Sequence, residues 1–249
     1  MIRQNLANKR IAITGSTGFV GTALVERLLR AVPECSLVLL VRPSKRHDVT
    51  ERVRREIFKN DAFDRLRAEL KDTAEPFEAM VARRVVAVAG DVSSDGLGLS
   101  EIDLATFTGC DIVIHSAAAV AFDSPLDSAV EINLLGPSRI VDTLNAAGVA
   151  PHLVAVSTCY VAGNRRGNAP EELVSEGPFD LGLNWRKEVA AARRLRSDTE
   201  AISRQPDKLT HFRKEAHKDL GAAGAPALAA KTESVREDWV KEQLIEAGR

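Results

Sequence analysis

The sequence predicts an α/β fold: a doubly wound parallel sheet of about five strands, in the order 3-2-1-4-5, followed by a C-terminal helical arm. Over the first two thirds of the 249 residues, short apolar runs alternate with amphipathic stretches. This alternation is typical of parallel strands joined by right-handed helical crossovers. Beyond about residue 165 the apolar runs stop, and Ala, Arg, Glu and Lys recur with helical spacing. We therefore expect an α/β domain over 1–170 and a charged helical arm over 171–249.

Five apolar runs are predicted as strands. They are RIAIT (10–14), SLVLLV (36–41), RVVAVAG (84–90), DIVIHSA (111–117) and HLVAVS (152–157). Each run is nearly continuously apolar, as expected of a strand buried on both faces. The fifth run would lie at an edge of the sheet, where an uncovered apolar strand is an aggregation risk.

Helices are predicted between the strands and throughout the arm. The first set covers about 19–31, 47–70, 100–107 and 125–147, and the second about 185–204, 206–220 and 233–247. Gly148 and Pro151 end the fourth of these helices. A capping box from Ser234 to Glu237 predicts the start of the last helix, after the Ala/Gly/Pro-rich stretch GAAGAPALAA.

Composition excludes several classes of function. A net charge of −1 gives no reason to expect nucleic acid or an acidic membrane as partner, and one Tyr and two Trp offer few rings for base stacking. No run approaches 18 apolar residues, so no transmembrane segment is expected. Three scattered cysteines without metal-ligand spacing indicate a reducing compartment and no metal site. We expect a cytoplasmic protein; the sequence carries no signal for an oligomeric state.

Gly15, Gly18 and Gly21 lie three residues apart, between the first strand and the first long helix. Gly15 permits a tight turn, Gly18 lets the backbone approach a pyrophosphate, and Gly21 allows close packing of the helix. The N–H groups at the helix start favour phosphate. A plain βα turn is the alternative, but the flanking strand and helix favour a Rossmann-like nucleotide site.

The end of the second strand indicates which dinucleotide is bound. NAD sites carry an acid there, whereas this strand ends in LLVRPSKR. Arg42, Lys45 and Arg46 place positive charge where the 2′-phosphate of NADP would lie. A solvated basic loop is the alternative. NADP is favoured over NAD.

Three further groups follow later strands. Asp91, with Val92, follows the third strand and could hydrogen-bond the adenine amine or cap a turn. The small residues Ala117, Ala118 and Ala119 let the backbone pass beside the cofactor ribose. His115 is a possible general base, but at a strand end beside small residues a hydrogen-bonded structural role is favoured.

Together these segments resemble the extended short-chain dehydrogenase/reductases, in particular their fatty acyl-CoA reductase (male-sterility, NAD-binding-4) type. The resemblance covers about residues 9–170 and is carried by ITGSTGFVGTALVERLLR, LVLLVRPSKR, GDVSSDGLGLS, HSAAAVAFDSPLDSAVEINLLG and VSTCYVAGNRRG. The arm looks like the charged insertion of bacterial fatty acyl-CoA reductases. The resemblance implies that a long-chain acyl-CoA is reduced by NADPH to fatty aldehyde, fatty alcohol or both.

The resemblance also implies roles for individual residues. Asn133 would shape the site, although it could equally be a polar helix residue facing water. Thr158, or less favourably Ser157, would hydrogen-bond the substrate carbonyl, or simply close the strand. A turn of eight residues would bind the pyrophosphate: Thr14, Gly15, Ser16, Thr17, Gly18, Phe19, Val20 and Gly21.

The sequence departs from the family in two respects: it lacks the sixth strand and substrate-binding portion that usually follow, and it lacks the usual proton donor. The family's proton donor is a Tyr with a Lys four residues later, which lowers the Tyr pKa. Here the only tyrosine is Tyr160, and the residue four positions on is Asn164. The simplest interpretation is an N-terminal fragment of a longer reductase, which would not reduce acyl-CoA by itself.

Three alternatives remain at this stage. A thioester reductase could act on carrier-bound acyl chains. A sugar-nucleotide epimerase or dehydratase is disfavoured, since those enzymes typically prefer NAD and lack such an arm. A non-catalytic NADP-binding or sensor protein would explain the missing Tyr-Lys pair.

Overall fold

The computed structural model describes residues 2–44, 47–121, 124–161, 166–177, 181–221 and 224–247. The chain divides into two compact units. The first, here called the sheet unit, contains Met1–Ala118 and Glu131–Thr158, and the second, the helical unit, contains Ala119–Val130 and Cys159–Arg249. The division into 1–170 and 171–249 stays a prediction about domains.

The sheet unit is built on five parallel strands. They are β1 (Arg10–Thr14), β2 (Ser36–Val41), β3 (Val85–Ala89), β4 (Ile112–His115) and β5 (His152–Ala155). Their order is β3-β2-β1-β4-β5, which confirms the predicted topology. In the register of the sheet, Thr14 at the end of β1 pairs with Leu40 on one side and His115 on the other. The carboxyl ends of the three central strands therefore meet at one edge, where open α/β sheets bind ligands.

Seven α-helices belong to the described part of the sheet unit. They are α1 (Ile2–Leu6), α2 (Phe19–Ala31), α3 (Val49–Arg52), α4 (Asp64–Leu70), α5 (Phe77–Arg84), α6 (Glu101–Thr108) and α8 (Leu135–Ala146). A short helix of the helical unit, α7 (Leu126–Ala129), precedes α8, and a π turn over Val130–Leu134 joins the two.

The single helix predicted over 47–70 is wrong. A π turn over Val53–Ile57 follows α3, a 3-10 turn covers Asp61–Phe63, and α4 begins at Asp64. The Asn60 side chain accepts from the Ala62 backbone N–H at 2.9 Å, which caps the 3-10 turn and breaks the continuous helix. Two helices were not predicted from the sequence: α1 and α5, which begins after Pro76.

The apolar residues of β1 and β2 divide between two cores, one on each face of the sheet. Ile11 and Ile13 point into one core, and Ala12 points into the other. All three are fully buried. In contrast, Val154 and Val156 at β5 are 40% and 48% exposed, so the expectation that β5 is buried on both faces is wrong. An edge strand has one neighbouring strand instead of two, so fewer neighbouring side chains bury its residues.

A buried arginine fastens the end of α2 to α5. Arg84 is 3% exposed and donates to the carbonyl oxygens of Leu29, Val32 and Cys35 at 2.7, 2.6 and 2.9 Å. A cation at a helix C-terminus satisfies free carbonyls and interacts favourably with the helix dipole.

The helical unit packs α9 (Trp185–Ser203), α10 (Pro206–Leu220) and α11 (Ala225–Ala247) together with α7. Phe212 of α10 lies against Trp239 of α11, with ring centroids 5.7 Å apart. Arg236 is 3% exposed and donates to Glu200 and Ser203 at 2.7 and 2.9 Å.

The last helix starts earlier than predicted. Because α11 begins at Ala225, Ser234 lies inside the helix and the predicted capping box is wrong. The high helix propensity of alanine extends the helix through PALAA. Among the helices of the described residues, we find none that combines the length and the apolar character needed to span a bilayer.

Candidate functional site

The carboxyl ends of β1 and β4 are tied together by the Thr14 hydroxyl. Its oxygen accepts from the backbone N–H groups of Ser116 and Ala117 at 3.2 and 3.3 Å, and lies 2.7 Å from His115 Nδ1. Because two N–H donors already point at this oxygen, the arrangement favours a hydroxyl proton directed at Nδ1, with Nδ1 as acceptor. Burial lowers the pKa of His115, which favours the same neutral ring. His115 thus holds the strand ends together.

The glycine turn between β1 and α2 leaves no room for side chains at two of its three glycines. Gly15 has φ +71°, and a Cβ there would lie 2.5 Å from the Ala117 backbone nitrogen. A Cβ on Gly21 would lie 2.1 Å from the Gly15 carbonyl oxygen. Gly18 is less constrained, since its Cβ would lie 3.3 Å from that oxygen. The turn is therefore drawn tightly against both the end of β4 and the start of α2.

The start of α2 has no side-chain cap. Its N-cap residue is Gly18, which carries no side chain to accept from the first N–H groups of the helix. Such groups attract anions, and the helix dipole adds to the attraction. The Ser16 hydroxyl in the same turn is buried and has no hydrogen-bond partner among the described residues.

A cavity of about 220 Å³ lies at this edge of the sheet, within the sheet unit. At one end are the glycine turn and the start of the segment after β4, and at the other are the ends of β2 and β3. Eight predicted residues line it: Gly15, Thr17, Gly18, Arg42, Asp91, Val92, Ala117 and Ala118. Sequence reasoning missed six more: Leu40, Val41, Arg52, Gly90, Ser116 and Ile132.

Two guanidinium groups line the β2 end of the cavity. The Arg42 side chain is 66% exposed, and its Nη1 lies 4.0 Å from Asp91 Oδ2. Arg52 is held more firmly, since its Nε and Nη2 donate to the Glu56 carboxylate at 2.7 and 2.6 Å and its Nη1 donates to the Arg42 carbonyl. The bonds to Glu56 raise the pKa of Arg52. The N–H donors not engaged in these bonds are available to an anion.

Arg52 was not predicted because its place at the cavity depends on the tertiary structure. It lies ten positions after Arg42, beyond the basic loop, and only the folding of the chain brings it to the cavity. A basic residue in the first turn of the helix after that loop is the only available signal. Lys45, the other cation predicted to bind cofactor, lies outside the described residues, as does Arg46.

The Asp91 carboxylate is oriented by its own loop. Its Oδ1 accepts from the Ser93 backbone N–H and hydroxyl at 2.9 and 2.7 Å. Its backbone N–H donates to the Leu97 carbonyl at 2.8 Å. The second oxygen, Oδ2, is the one that lies near Arg42. Asp91 therefore both shapes a turn and lines the cavity, so the two roles considered from sequence are compatible.

Several predicted cofactor-binding residues are not among those that line the cavity. Thr14 shapes the site through its hydroxyl and Gly21 through its close approach to the Gly15 backbone, as described above, and Ser16 is buried inside the turn. Phe19 and Val20 are 93% and 53% exposed. Asn133 is exposed in the π turn before α8, not in a regular helix. Ala119 belongs to the helical unit.

The residues predicted to act on the substrate carbonyl follow β5. Ser157 and Thr158 are both exposed and do not line the cavity. Tyr160, the only tyrosine in the sequence, is 89% exposed. The structure thus brings eight of the predicted cofactor-binding residues to one cavity, and their roles, like the catalytic roles of Ser157 and Thr158, stay predictions.

The fold and the glycine turn define a Rossmann-like dinucleotide-binding unit, and comparison with known proteins specifies the family. The profile of the male sterility protein family matches residues 13–231. The chain belongs to this family, the fatty acyl-CoA reductase type of the extended short-chain dehydrogenase/reductases.

Named relatives agree with this assignment. Fatty acyl-CoA reductase 8 from Arabidopsis thaliana is 35% identical over 197 residues, which is 76% of this chain and 39% of that protein. Alcohol-forming fatty acyl-CoA reductase from Simmondsia chinensis is 30% identical over 190 residues, or 74% of this chain and 37% of that protein. The chain thus spans about two fifths of the length of these relatives.

A solved structure shows the same fold. The terminal R domain from the myxalamid PKS-NRPS biosynthetic pathway is 30% identical and superposes with a TM-score of 0.53, covering 67% of this chain and 39% of that one.

Proposed function

We propose that this chain binds NADPH and forms the cofactor-binding part of a reductase that converts a fatty acyl-CoA thioester to fatty aldehyde, fatty alcohol or both. The observation that carries the proposal is the cavity, with the glycine turn at one end and two guanidinium groups at the other. Two relatives of this chain are named fatty acyl-CoA reductases, which supports a fatty acyl-CoA as the substrate class.

The residues of the cavity fit a dinucleotide phosphate. A Cβ at Gly15 or Gly21 would collide with backbone, so the turn keeps the tight form that presents N–H groups to a pyrophosphate. Arg42 and Arg52 would bind the 2′-phosphate, and guanidinium groups suit phosphate because their N–H groups match its geometry. Asp91 Oδ2 would accept from the adenine amine.

The preference for NADPH over NADH rests on charge. Where an NAD site has a carboxylate for the ribose 2′-hydroxyl, β2 here ends at Val41 and is followed by Arg42. Two nearby cations attract a doubly charged phosphate and so strengthen its binding, whereas they contribute little to the binding of an uncharged hydroxyl.

When bound, NADPH supplies the hydride that reduces the thioester carbonyl carbon. The oxygen then develops negative charge and needs a hydrogen-bond donor. Thr158 is proposed as that donor, with Ser157 as the less favoured choice, because both follow the strand next to β4. Collapse of the resulting hemithioacetal would release aldehyde and the free thiol.

A second candidate substrate is an acyl chain carried on a protein thiol. It is favoured by the likeness to the R domain of a PKS-NRPS pathway. The chemistry at the carbonyl carbon is the same for both thioesters, so comparing acyl-CoA with acyl-carrier substrates in the enzyme that contains this chain decides between them. A protein that binds NADPH without reducing anything is the remaining alternative.

Titration of the purified chain with NADPH and NADH tests the cofactor assignment. Arg42→Gln and Arg52→Gln are each expected to raise the Kd for NADPH at least about tenfold. The Kd for NADH should change by less than about twofold, because only NADPH carries the 2′-phosphate. Arg54→Gln is the matched control, since Arg54 is exposed, pairs with Glu51 and does not line the cavity. Equal affinity of the unaltered chain for both dinucleotides would overturn the assignment.

A further inference from the structure

A single buried arginine joins two walls of the cavity without lining it. Arg139, on α8, is 9% exposed. Its Nε donates to Asp95 Oδ1 at 3.0 Å, and its Nη1 donates to the Glu131 backbone carbonyl at 2.9 Å. Its Nη2 also pairs with the Glu131 carboxylate. One guanidinium therefore holds the loop after β3 and the π turn before α8 at the same time.

Each of these two segments contributes an apolar wall to the cavity. The loop after β3 supplies Val92, and the π turn supplies Ile132. The start of α8 lies directly on the loop, since a Cβ on Gly136 would be 3.5 Å from the Val92 side chain. The distance between Val92 and Ile132 is thus set by the packing of α8 on the loop at Gly136 and by the bonds through which Arg139 of α8 fixes the π turn.

The placement of these walls indicates what they enclose. Val92 is next to Asp91, whose Oδ2 lies near Arg42 at the β2 end of the cavity. A planar aromatic base of a nucleotide needs two apolar surfaces that face its ring, with polar groups at the ring edge. We propose that Arg139 is a positioning residue for the adenosine half of the cofactor, which acts by fixing the slot between Val92 and Ile132. This inference rests on the proposed NADPH binding.

The chemistry of arginine suits this role. Its rigid planar fork can donate in several directions at once, whereas a lysine at the same place would keep the charge but not all of the bonds. A π turn leaves backbone groups that the regular helical pattern does not satisfy, and π turns often occur beside functional sites. Arg139 satisfies the Glu131 carbonyl of this turn.

The partners of Arg139 are not equivalent. Asp95 is 98% exposed at its side chain, whereas Glu131 is 23% exposed. An exposed ion pair contributes little because water screens it. The bonds to Glu131 should therefore contribute most to the position of the π turn.

The test is a binding series with adenosine 2′,5′-bisphosphate, which carries the adenosine and 2′-phosphate of NADPH without the nicotinamide. Arg139→Met is expected to raise its Kd about tenfold, by analogy with the loss of a residue that orients the ligands of a metal site. Arg139→Lys should fail to restore affinity, and Asp95→Asn should change Kd by less than about twofold.

A double-mutant cycle separates positioning from general destabilisation. If Arg139 acts through Ile132, then Arg139→Met should have little further effect on Kd in an Ile132→Ala background. The control is Arg236→Met, which removes another buried arginine, 3% exposed, from the helical unit and should leave the Kd unchanged.

The outcomes are distinct. Additive effects in the cycle, or a Kd for Arg139→Met and Arg139→Lys equal to that of the unaltered chain, would overturn the positioning role while leaving NADPH binding in place. If the unaltered chain binds neither NADPH nor adenosine 2′,5′-bisphosphate, the proposed function falls and this inference falls with it.

Discussion

At the scale of single residues, the cavity is lined by two kinds of residue: those that can be identified from the sequence and those that cannot. Gly15, Gly18 and Arg42 belong to local patterns, in which the neighbours along the chain already explain the choice of residue. Arg52 and Ile132 reach the cavity only through the folding of distant segments. Single-residue chemistry could therefore predict the turn and one cation, but not the full lining.

His115 makes the stability of the chain depend on pH. Burial lowers its pKa, so the folded state binds this proton less readily than the unfolded state does. The contribution of the neutral ring is fully present above the ordinary histidine pKa and is lost as the pH falls through the lower pKa of the folded state. We expect the free energy of unfolding to decline below about pH 6.5.

Chemical denaturation at several pH values measures this dependence. His115→Gln should be less stable at neutral pH but should show a flatter profile between about pH 7 and pH 5. Since His152 is exposed at β5, His152→Gln is the control and should keep the original slope. Parallel profiles for His115→Gln and the unaltered chain would contradict the assignment.

At the scale of elements, backbone contacts decide which substitutions the turn accepts. Gly21→Ala places a Cβ 2.1 Å from a carbonyl oxygen, so the turn or α2 must move. We expect a loss of stability of about 2–4 kcal/mol, together with loss of NADPH binding.

Gly136→Ala is the matched control within the same unit. Its Cβ would make ordinary contact with Val92 at 3.5 Å, and the gain in helix propensity is offset because Pro137, which follows, disfavours the helical conformation of a residue that carries a Cβ. The unfolding curve of Gly136→Ala should therefore shift much less than that of Gly21→Ala. Equal losses would show that packing at the turn is not the deciding factor.

The contact between α5 and the end of α2 is the second test at this scale. Arg84→Met leaves three buried carbonyls without their donor and is expected to lower the free energy of unfolding by about 3 kcal/mol. Arg83→Met removes a neighbouring exposed arginine paired with Glu75 and should cost less than about 1 kcal/mol. Denaturant titrations of both variants measure their free energies of unfolding, and that of Arg84→Met should be the lower.

Elements were predictable where one local pattern dominated. The order of the strands followed from nearly continuous apolar runs separated by helices. The stretch 47–70 was wrongly predicted as one helix, because its helical periodicity looks unbroken in the sequence. In the structure a π turn and the Asn60 cap interrupt it. In α11, alanine propensity outweighed a capping motif that sequence reasoning preferred.

At the scale of the whole molecule, cofactor binding and catalysis are expected to separate. The 249 residues contain no Tyr-x-x-x-Lys, the arrangement that the family resemblance implies for the proton donor. We expect the chain to bind NADPH but to show no acyl-CoA-dependent oxidation of NADPH. Absorbance at the NADPH band with a long-chain acyl-CoA measures this. A sustained, substrate-dependent rate would contradict the expectation, and Tyr160→Phe would then show whether Tyr160 contributes.

The three thiols give the chain a built-in labelling position. Burial raises the pKa of the Cys35 thiol, and raises that of Cys110 to about 11, so both react slowly at neutral pH. Cys159 is exposed. A maleimide dye should therefore attach at Cys159 alone, one residue beyond Thr158. Its emission would report on the segment proposed to meet the thioester, without any cysteine having to be removed.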